Sequence, residues 1–148
     1  MSNLTAPVII PRPVKLEMGA GVFELKATTL IVADETTFAA ARALDDAIRP
    51  ATGFQPKIVA QQGDAASAIV FNLLAQDAEL GREGYRLDVT PQAVTIAAPT
   101  QAGLFYGIQT LRQLLPTAIF SEDIAQNQAW LIPCLNISDK PRYGWRGL

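Results

Sequence analysis

Tyr85-Arg86-Leu87-Asp88-Val89-Thr90-Pro91-Gln92-Ala93-Val94-Thr95-Ile96-Ala97 is the stretch that decides the fold class. Tyr85, Leu87 and Val89 alternate with Arg86, Asp88 and Thr90; Val94 and Ile96 alternate with Ala93, Thr95 and Ala97. Period-two alternation gives each strand one core face and one wetter face, as in an antiparallel pair. Pro91-Gln92 supplies the turn. The period then changes. Thr100 is placed to cap a helix whose apolar stripe is Leu104, Ile108, Leu111 and Leu115, thickened by Phe105 and Leu114. Gln109, Arg112 and Gln113 fall on the other side, and Pro116 ends the helix. Thr117 to Ala129 reads as a mostly polar, mobile loop, Trp130 to Ile137 as a last strand, and Ser138 to Pro141 as a turn out of the domain.

Upstream the same alternation of periods appears. Val8 to Ile10, bracketed by Pro7 and Pro11-Arg12-Pro13, suits an edge strand or an extended lead-in. Gly19 to Gly21 marks a turn between it and the strands Val22 to Leu25 and Thr29 to Val32. Asp34 is placed to cap a first helix, with Phe38, Ala41, Leu44 and Ile48 on its apolar face. Arg42, Asp45, Asp46 and Arg49 lie off that face, in solvent; Pro50 stops the helix and Gly53 turns the chain. Lys57 to Ala60 and Ala68 to Leu73 are further strands, joined by the polar loop Gln61 to Ala66. The order strands, helix, strands, helix, strand predicts an α+β fold: a two-layer sandwich with two helices packed on one face of a mixed or antiparallel sheet.

Composition narrows the chemistry. The 148 residues are 49% hydrophobic and 18% charged, enough apolar surface for one well-filled domain. A net charge of −2 argues against nucleic acid or a membrane surface as partner, since both demand a basic patch. The chain has no histidine, which removes the commonest general base and metal ligand. The lone Cys134, inside the apolar run Trp130 to Leu135, reads as an inert buried thiol. Met1 to Thr5 lacks the basic and apolar regions of a signal peptide, and the compartment stays open.

Candidate motifs are sparse. The paired acids Asp45-Asp46 and Glu122-Asp123 are the carboxylate candidates for glycosidic chemistry, and both read as solvated. Scattered acids without imidazole support no metal site and no cofactor is implied. Gly81-Arg82-Glu83-Gly84 precedes a strand, so it is a turn and not a phosphate loop. Ser121 and Ser138 have no histidine to activate them. Gly103 and Gly107 inside the second helix give up helix propensity and are explained by close packing. Trp145-Arg146 suits a sugar: an aromatic face for C–H surfaces and a guanidinium for neighbouring hydroxyls.

Three segments together carry a resemblance. They are Glu83 to Val89 with Val94 to Ala98, Gly103-Leu104-Phe105-Tyr106-Gly107-Ile108-Gln109-Thr110-Leu111-Arg112-Gln113-Leu114, and Ile137 to Leu148. With Ile9-Ile10-Pro11-Arg12-Pro13 at the start, they resemble the N-terminal domain of family 20 glycoside hydrolases, the β-N-acetylhexosaminidases. The resemblance implies a domain over residues 1–140 and, from 141–148, a linker and the first residues of a (β/α) catalytic barrel. It implies hydrolysis assisted by the substrate's own acetamido group, with an Asp-Glu pair further along that barrel. Glu122-Asp123 has the reverse order and lies upstream, so no catalytic residue is expected here. Arg146 would contact hydroxyls of the terminal sugar, in the context of the full barrel. The expected partners are the chain's own barrel and, through it, amino-sugar glycans. A face shaped for a barrel would also expose apolar side chains and favour self-association. The alternatives are a carbohydrate-binding module or the equivalent front domain of an α-glucuronidase or O-linked N-acetylglucosaminidase.

Overall fold

A computed structural model describes residues 7, 9, 13–63, 67–75 and 79–140. Val8 and Ile10 of the expected first strand, Asp64 to Ala66 of the polar loop, and the whole of 141–148 with Trp145 and Arg146 lie outside the described residues. The strands are β1 (Lys15–Leu25), β2 (Leu30–Val32), β3 (Ile58–Val59), β4 (Ala68–Leu73), β5 (Tyr85–Val89), β6 (Ala93–Ala98) and β7 (Trp130–Asp139). The helices are α1 (Phe38–Thr52) and α2 (Gln101–Leu114), followed by a 3₁₀ turn at Thr117–Phe120. The strands form one seven-stranded mixed sheet in the order β1-β7-β5-β6-β4-β2-β3. β1, β7, β5 and β6 pair antiparallel; β6, β4, β2 and β3 pair parallel.

Register explains the core. One row runs Ile58, Ile31, Ile69, Val94, Val89, Leu135, Met18 across all the strands. The next inward row is Phe71, Ile96, Leu87, Ile137, Leu16. Between them, on the opposite face, lie Val59, Val32, Val70, Thr95, Asp88, Asn136 and Glu17. Apart from the exposed Met18 at the sheet edge and the partly buried Leu16 and Ile58, these rows meet Ala40, Ala41, Leu44, Ile48 and Ala51 of α1 and Leu104, Ile108, Leu111 and Leu114 of α2 in one buried cluster. Both helices therefore cover one sheet face. They lie side by side: Gln101 Nε2, at the start of α2, donates to the Thr36 carbonyl just before α1, and the Ala125 N–H, beyond the 3₁₀ turn, donates to the Ala51 carbonyl near the end of α1, 2.8 Å.

Four local readings are corrected. Gly19 to Gly21 is not a turn but an irregularity inside β1, where Met18 pairs with Leu135 and Val22 already pairs with Pro133. Gly21 carries φ 94°, open to glycine at little cost, and an inserted stretch lets an edge strand bend without leaving its partner. Asp34 does not cap α1, whose N-cap position is Thr37. Its Oδ1 accepts the N–H groups of Thr36 (2.8 Å) and Thr37 (3.1 Å), while its own N–H donates to Thr37 Oγ1 (3.0 Å). The aspartate caps the turn that delivers the helix. Pro50 sits inside α1, which continues to Thr52. In the last turn its missing N–H removes a single bond, and Gly53 in the left-handed region closes the helix by donating to the Arg49 carbonyl, 2.8 Å. The stretch 117–129 is more than a polar loop: its 3₁₀ turn buries Ile119 against the core.

Candidate functional site

The cleft nearest the chain's exit lies at the N-terminal end of α2. Leu80, Gly81, Arg82, Glu83, Thr100, Ala102 and Lys140 line a volume of about 480 Å³. Thr100 builds one wall, as expected of a cap. Its Oγ1 accepts the Gly103 N–H at 3.2 Å and donates to the Arg82 carbonyl. The 81–84 segment is the expected turn, with Gly81 at φ 64°. Two residues of cationic type, Arg82 and Lys140, and one of acidic type, Glu83, are among those lining this cleft. Cleavage by paired carboxylates needs two such groups across the scissile bond, about 5–10 Å apart. Among the described residues the lining offers one.

Other acids among the described residues lie in settings of their own. Glu122 and Asp123 are exposed, as expected; Ser121 Oγ donates to the Asp123 carbonyl (2.8 Å) and accepts its N–H (3.1 Å), which makes this a local turn. Asp88 lies on the open sheet face, where burial pushes its carboxyl up against the opposing pull of Arg86. The Thr36 hydroxyl, with further donors at Thr36 and Thr37, holds the Asp34 carboxyl below its ordinary range. Among the described residues no cluster of acid, cysteine or histidine side chains could hold a metal ion, and no helix is long and apolar enough to cross a membrane.

Asp45 contradicts its solvated reading. Its residue is 3% exposed, on the same side of α1 as Ala41 and Leu44, while Asp46 is exposed. The helical stripe is one position wider than the apolar residues marked. Arg49, one turn on and half exposed, reaches back to Asp45 Oδ2 at 2.5 Å. Asp45 Oδ1 is buried without a hydrogen-bond partner. A buried carboxylate that loses its cation is worse off than an apolar residue in the same place. Arg49→Met is expected to lower stability by about 1–2 kcal/mol, and Asp45→Ala added to it to recover most of that loss. Urea midpoints of Arg49→Met, Asp45→Ala and the double variant measure this; independent, additive losses would refute the coupling.

Cys134 is buried, and burial pushes its thiol up, which keeps it unreactive as expected. Ser138 is half-buried within β7. One polar cluster escaped the sequence reading. Tyr85 Oη lies 2.5 Å from Thr110 Oγ1 and 3.5 Å from Asp139 Oδ2. These residues are far apart in sequence, and only one hint was visible: a tyrosine on the core face of its strand needs a partner for its hydroxyl.

The sequence model of glycosyl hydrolase family 20, domain 2, matches residues 6–140. The chain belongs to that family. Relatives agree with this family 20 assignment. A beta-N-acetylhexosaminidase of Cellulomonas fimi is 34% identical over 143 residues, which are 95% of this chain and 27% of that protein. The GH20 beta-N-acetylhexosaminidase of Streptomyces coelicolor A3(2) superposes with a TM-score of 0.80 at 37% identity, over 90% of this chain and 26% of that one. The N-acetyl-beta-hexosaminidase of Streptomyces plicatus, solved with Thio-NAglucal, gives 0.82 at 37% identity, over 97% and 29%. The family 20 domain thus spans about a quarter to three tenths of the length of these proteins. The match covers the α+β sheet and both helices read from the sequence.

Proposed function

We propose that this family 20 domain is the non-catalytic front part of a β-N-acetylhexosaminidase. The whole protein would remove terminal β-linked N-acetylglucosamine or N-acetylgalactosamine from glycans or chitooligosaccharides, the substrate's acetamido group assisting the hydrolysis. The observation that carries this reading is the match to domain 2 of hexosaminidases over nearly the whole chain, joined to a fraction of their length. The hexosaminidase names of the relatives favour it over an α-glucuronidase front domain. Incubating the purified 148-residue chain with nitrophenyl N-acetyl-β-glucosaminide is expected to release no nitrophenol above buffer. Turnover by this chain would overturn the assignment.

The partner in this reading is the protein's own barrel, and the helix layer is the surface offered to it. Phe38 (49% exposed), Phe105 (39%), Phe120 (52%) and Ile124 (56%) project from the two helices and the segment after α2. Exposed aromatic side chains grouped on one layer mark a contact surface more often than a free one. Sedimentation of the chain alone is expected to show concentration-dependent self-association, weakened by Phe38→Ser with Phe105→Ser. A monomer at all concentrations would count against this surface.

A further inference from the structure

Arg112 is the basic residue in the last turn of α2, two turns after Phe105 and so on the same side of the helix. Its guanidinium sits over the Phe120 ring, with Cζ 4.8 Å from the ring centre. Nη1 donates to Gln109 Oε1 at 3.3 Å, one bond to an exposed amide. Nε is shielded from water and has no acceptor among the described residues. No carboxylate among the described residues pairs with this cation. Glu122 and Asp123 follow Phe120 closely in sequence, but both are exposed, and Asp123 is folded into the local turn with Ser121.

Stability of the domain alone does not ask for this arrangement. A shielded donor without an acceptor is unfavourable, and native proteins leave few of them. A methionine would cover Phe120 without that penalty. The same chemistry suits an interface, where aromatic rings and arginine are concentrated. Phe38, Phe105, Phe120 and Ile124 are exposed apolar side chains of the helix layer. When a partner covers that layer, the guanidinium over Phe120 leaves water with it. A cation taken out of water needs a counter-charge. With Nη1 on Gln109, the open edge is Nε–H and Nη2–H. That edge is a fork matched to the two oxygens of one carboxylate. The side chain must swing slightly for Nε to reach an outside oxygen, and it breaks no bond of Nε in doing so.

We propose that Arg112 is the charged anchor of the helix layer: it pairs with a carboxylate on the surface that covers this layer in the full-length protein. The proposal rests on the reading that the helix layer faces the protein's own barrel. It adds what that surface carries, an aspartate or glutamate set opposite Phe120 within an otherwise apolar contact. The domain fills about a quarter to three tenths of its relatives' length, so those proteins hold a body large enough to cover the layer. A second copy of the chain, or the neighbouring Glu122 and Asp123, are the competing sources of the carboxylate.

The test compares the full-length protein with the 148-residue chain in dilute solution. Deuterium exchange in peptides of α1 and α2 is read by mass spectrometry. In the full-length protein Arg112→Met is expected to speed exchange about tenfold, because methionine keeps cover on Phe120 without the charge. Arg112→Lys is expected to speed it only about threefold, because lysine keeps the charge without the fork. In the dilute chain both variants are expected to stay within about twofold of the parent, as for an exposed cation without a partner. Packing alone gives another order, with methionine harmless and lysine no better. That order overturns the proposal. Equal effects in both proteins also overturn it and assign the carboxylate to Glu122 or Asp123. Self-association of the concentrated chain that follows the charge at 112, with no effect in the full-length protein, overturns it in favour of a second copy. Phe38→Ser with Phe105→Ser tests the underlying reading. If that pair speeds exchange in the full-length protein and the Arg112 variants do not, the anchor alone falls. If neither does, the barrel does not cover the helix layer and both readings fall.

Discussion

Gly103→Ala is expected to destabilise this domain by about 3 kcal/mol, a large share of the roughly 5–15 kcal/mol that holds a domain of this size together. In an ordinary helix interior the same change would gain about 1 kcal/mol, since alanine is the better helix former. Packing reverses the sign. A Cβ built on Gly103 would lie 2.7 Å from Ala98 Cβ and closer still to the carbonyl oxygen of Gly84. One neighbour is backbone and the other is a methyl on β6 with no rotamer to change, so relief requires moving α2 off the sheet. Gly84 is itself locked: its own Cβ would sit 2.8 Å from Leu80 Cα and nearer to the Leu80 carbonyl. Gly107→Ala provides the internal comparison. Its Cβ would meet Ile96 Cγ2 at 2.6 Å, a stiff branch methyl of a buried side chain, but no backbone atom that close, so the expected loss is smaller, about 2 kcal/mol. Urea midpoints for the two variants decide it. Equal losses, or a stabilised Gly103→Ala, would show that helix propensity and not strand contact governs this face.

That pair of glycines also shows what the sequence made legible. The alternation from Tyr85 to Ala97 and the stripe from Leu104 to Leu111 named both sides of this contact, because each is a local period written over several residues. Thr100 was legible as a cap for the same reason: cap and helix start are neighbours. Strand order was not. Nothing local says that β7 inserts between β1 and β5, a choice made by long-range burial. Asp45 was misread because a charged residue was assumed to leave the helix stripe, and its partner Arg49 one turn away was not weighed as cover. Pro50 reads as a stop and Gly19 to Gly21 as a turn, although a helix tolerates proline near its end and an edge strand tolerates an inserted glycine stretch. The cluster of Tyr85, Thr110 and Asp139 needed three elements brought together, and no spacing in the chain announces it.

The second large effect lies in that cluster and is read by alkaline titration. Burial pushes the Tyr85 hydroxyl up to about 12; the bond from Thr110 pulls it down, and the charge of Asp139 pushes it up again. In the unfolded chain the same phenol titrates near 10. Because the folded state holds its proton more tightly, the contribution to stability is complete below about pH 10. Between about pH 10 and 12 the unfolded state loses a proton that the folded state keeps, so stability falls with rising pH and levels off beyond the folded value. The gap between those two values corresponds to about 2–3 kcal/mol lost across that window. Tyr85→Phe separates this loss from the titration of lysines, which both proteins share. The variant starts lower at pH 8, since Thr110 and Asp139 lose a partner at a cost of about 1–2 kcal/mol. Its stability should then fall less steeply, and the two curves should converge or cross near pH 12. Denaturant midpoints at a series of pH values test this. Parallel curves for Tyr85 and its phenylalanine variant would mean that the hydroxyl reaches water and that the chain from Thr110 to Asp139 does not hold it.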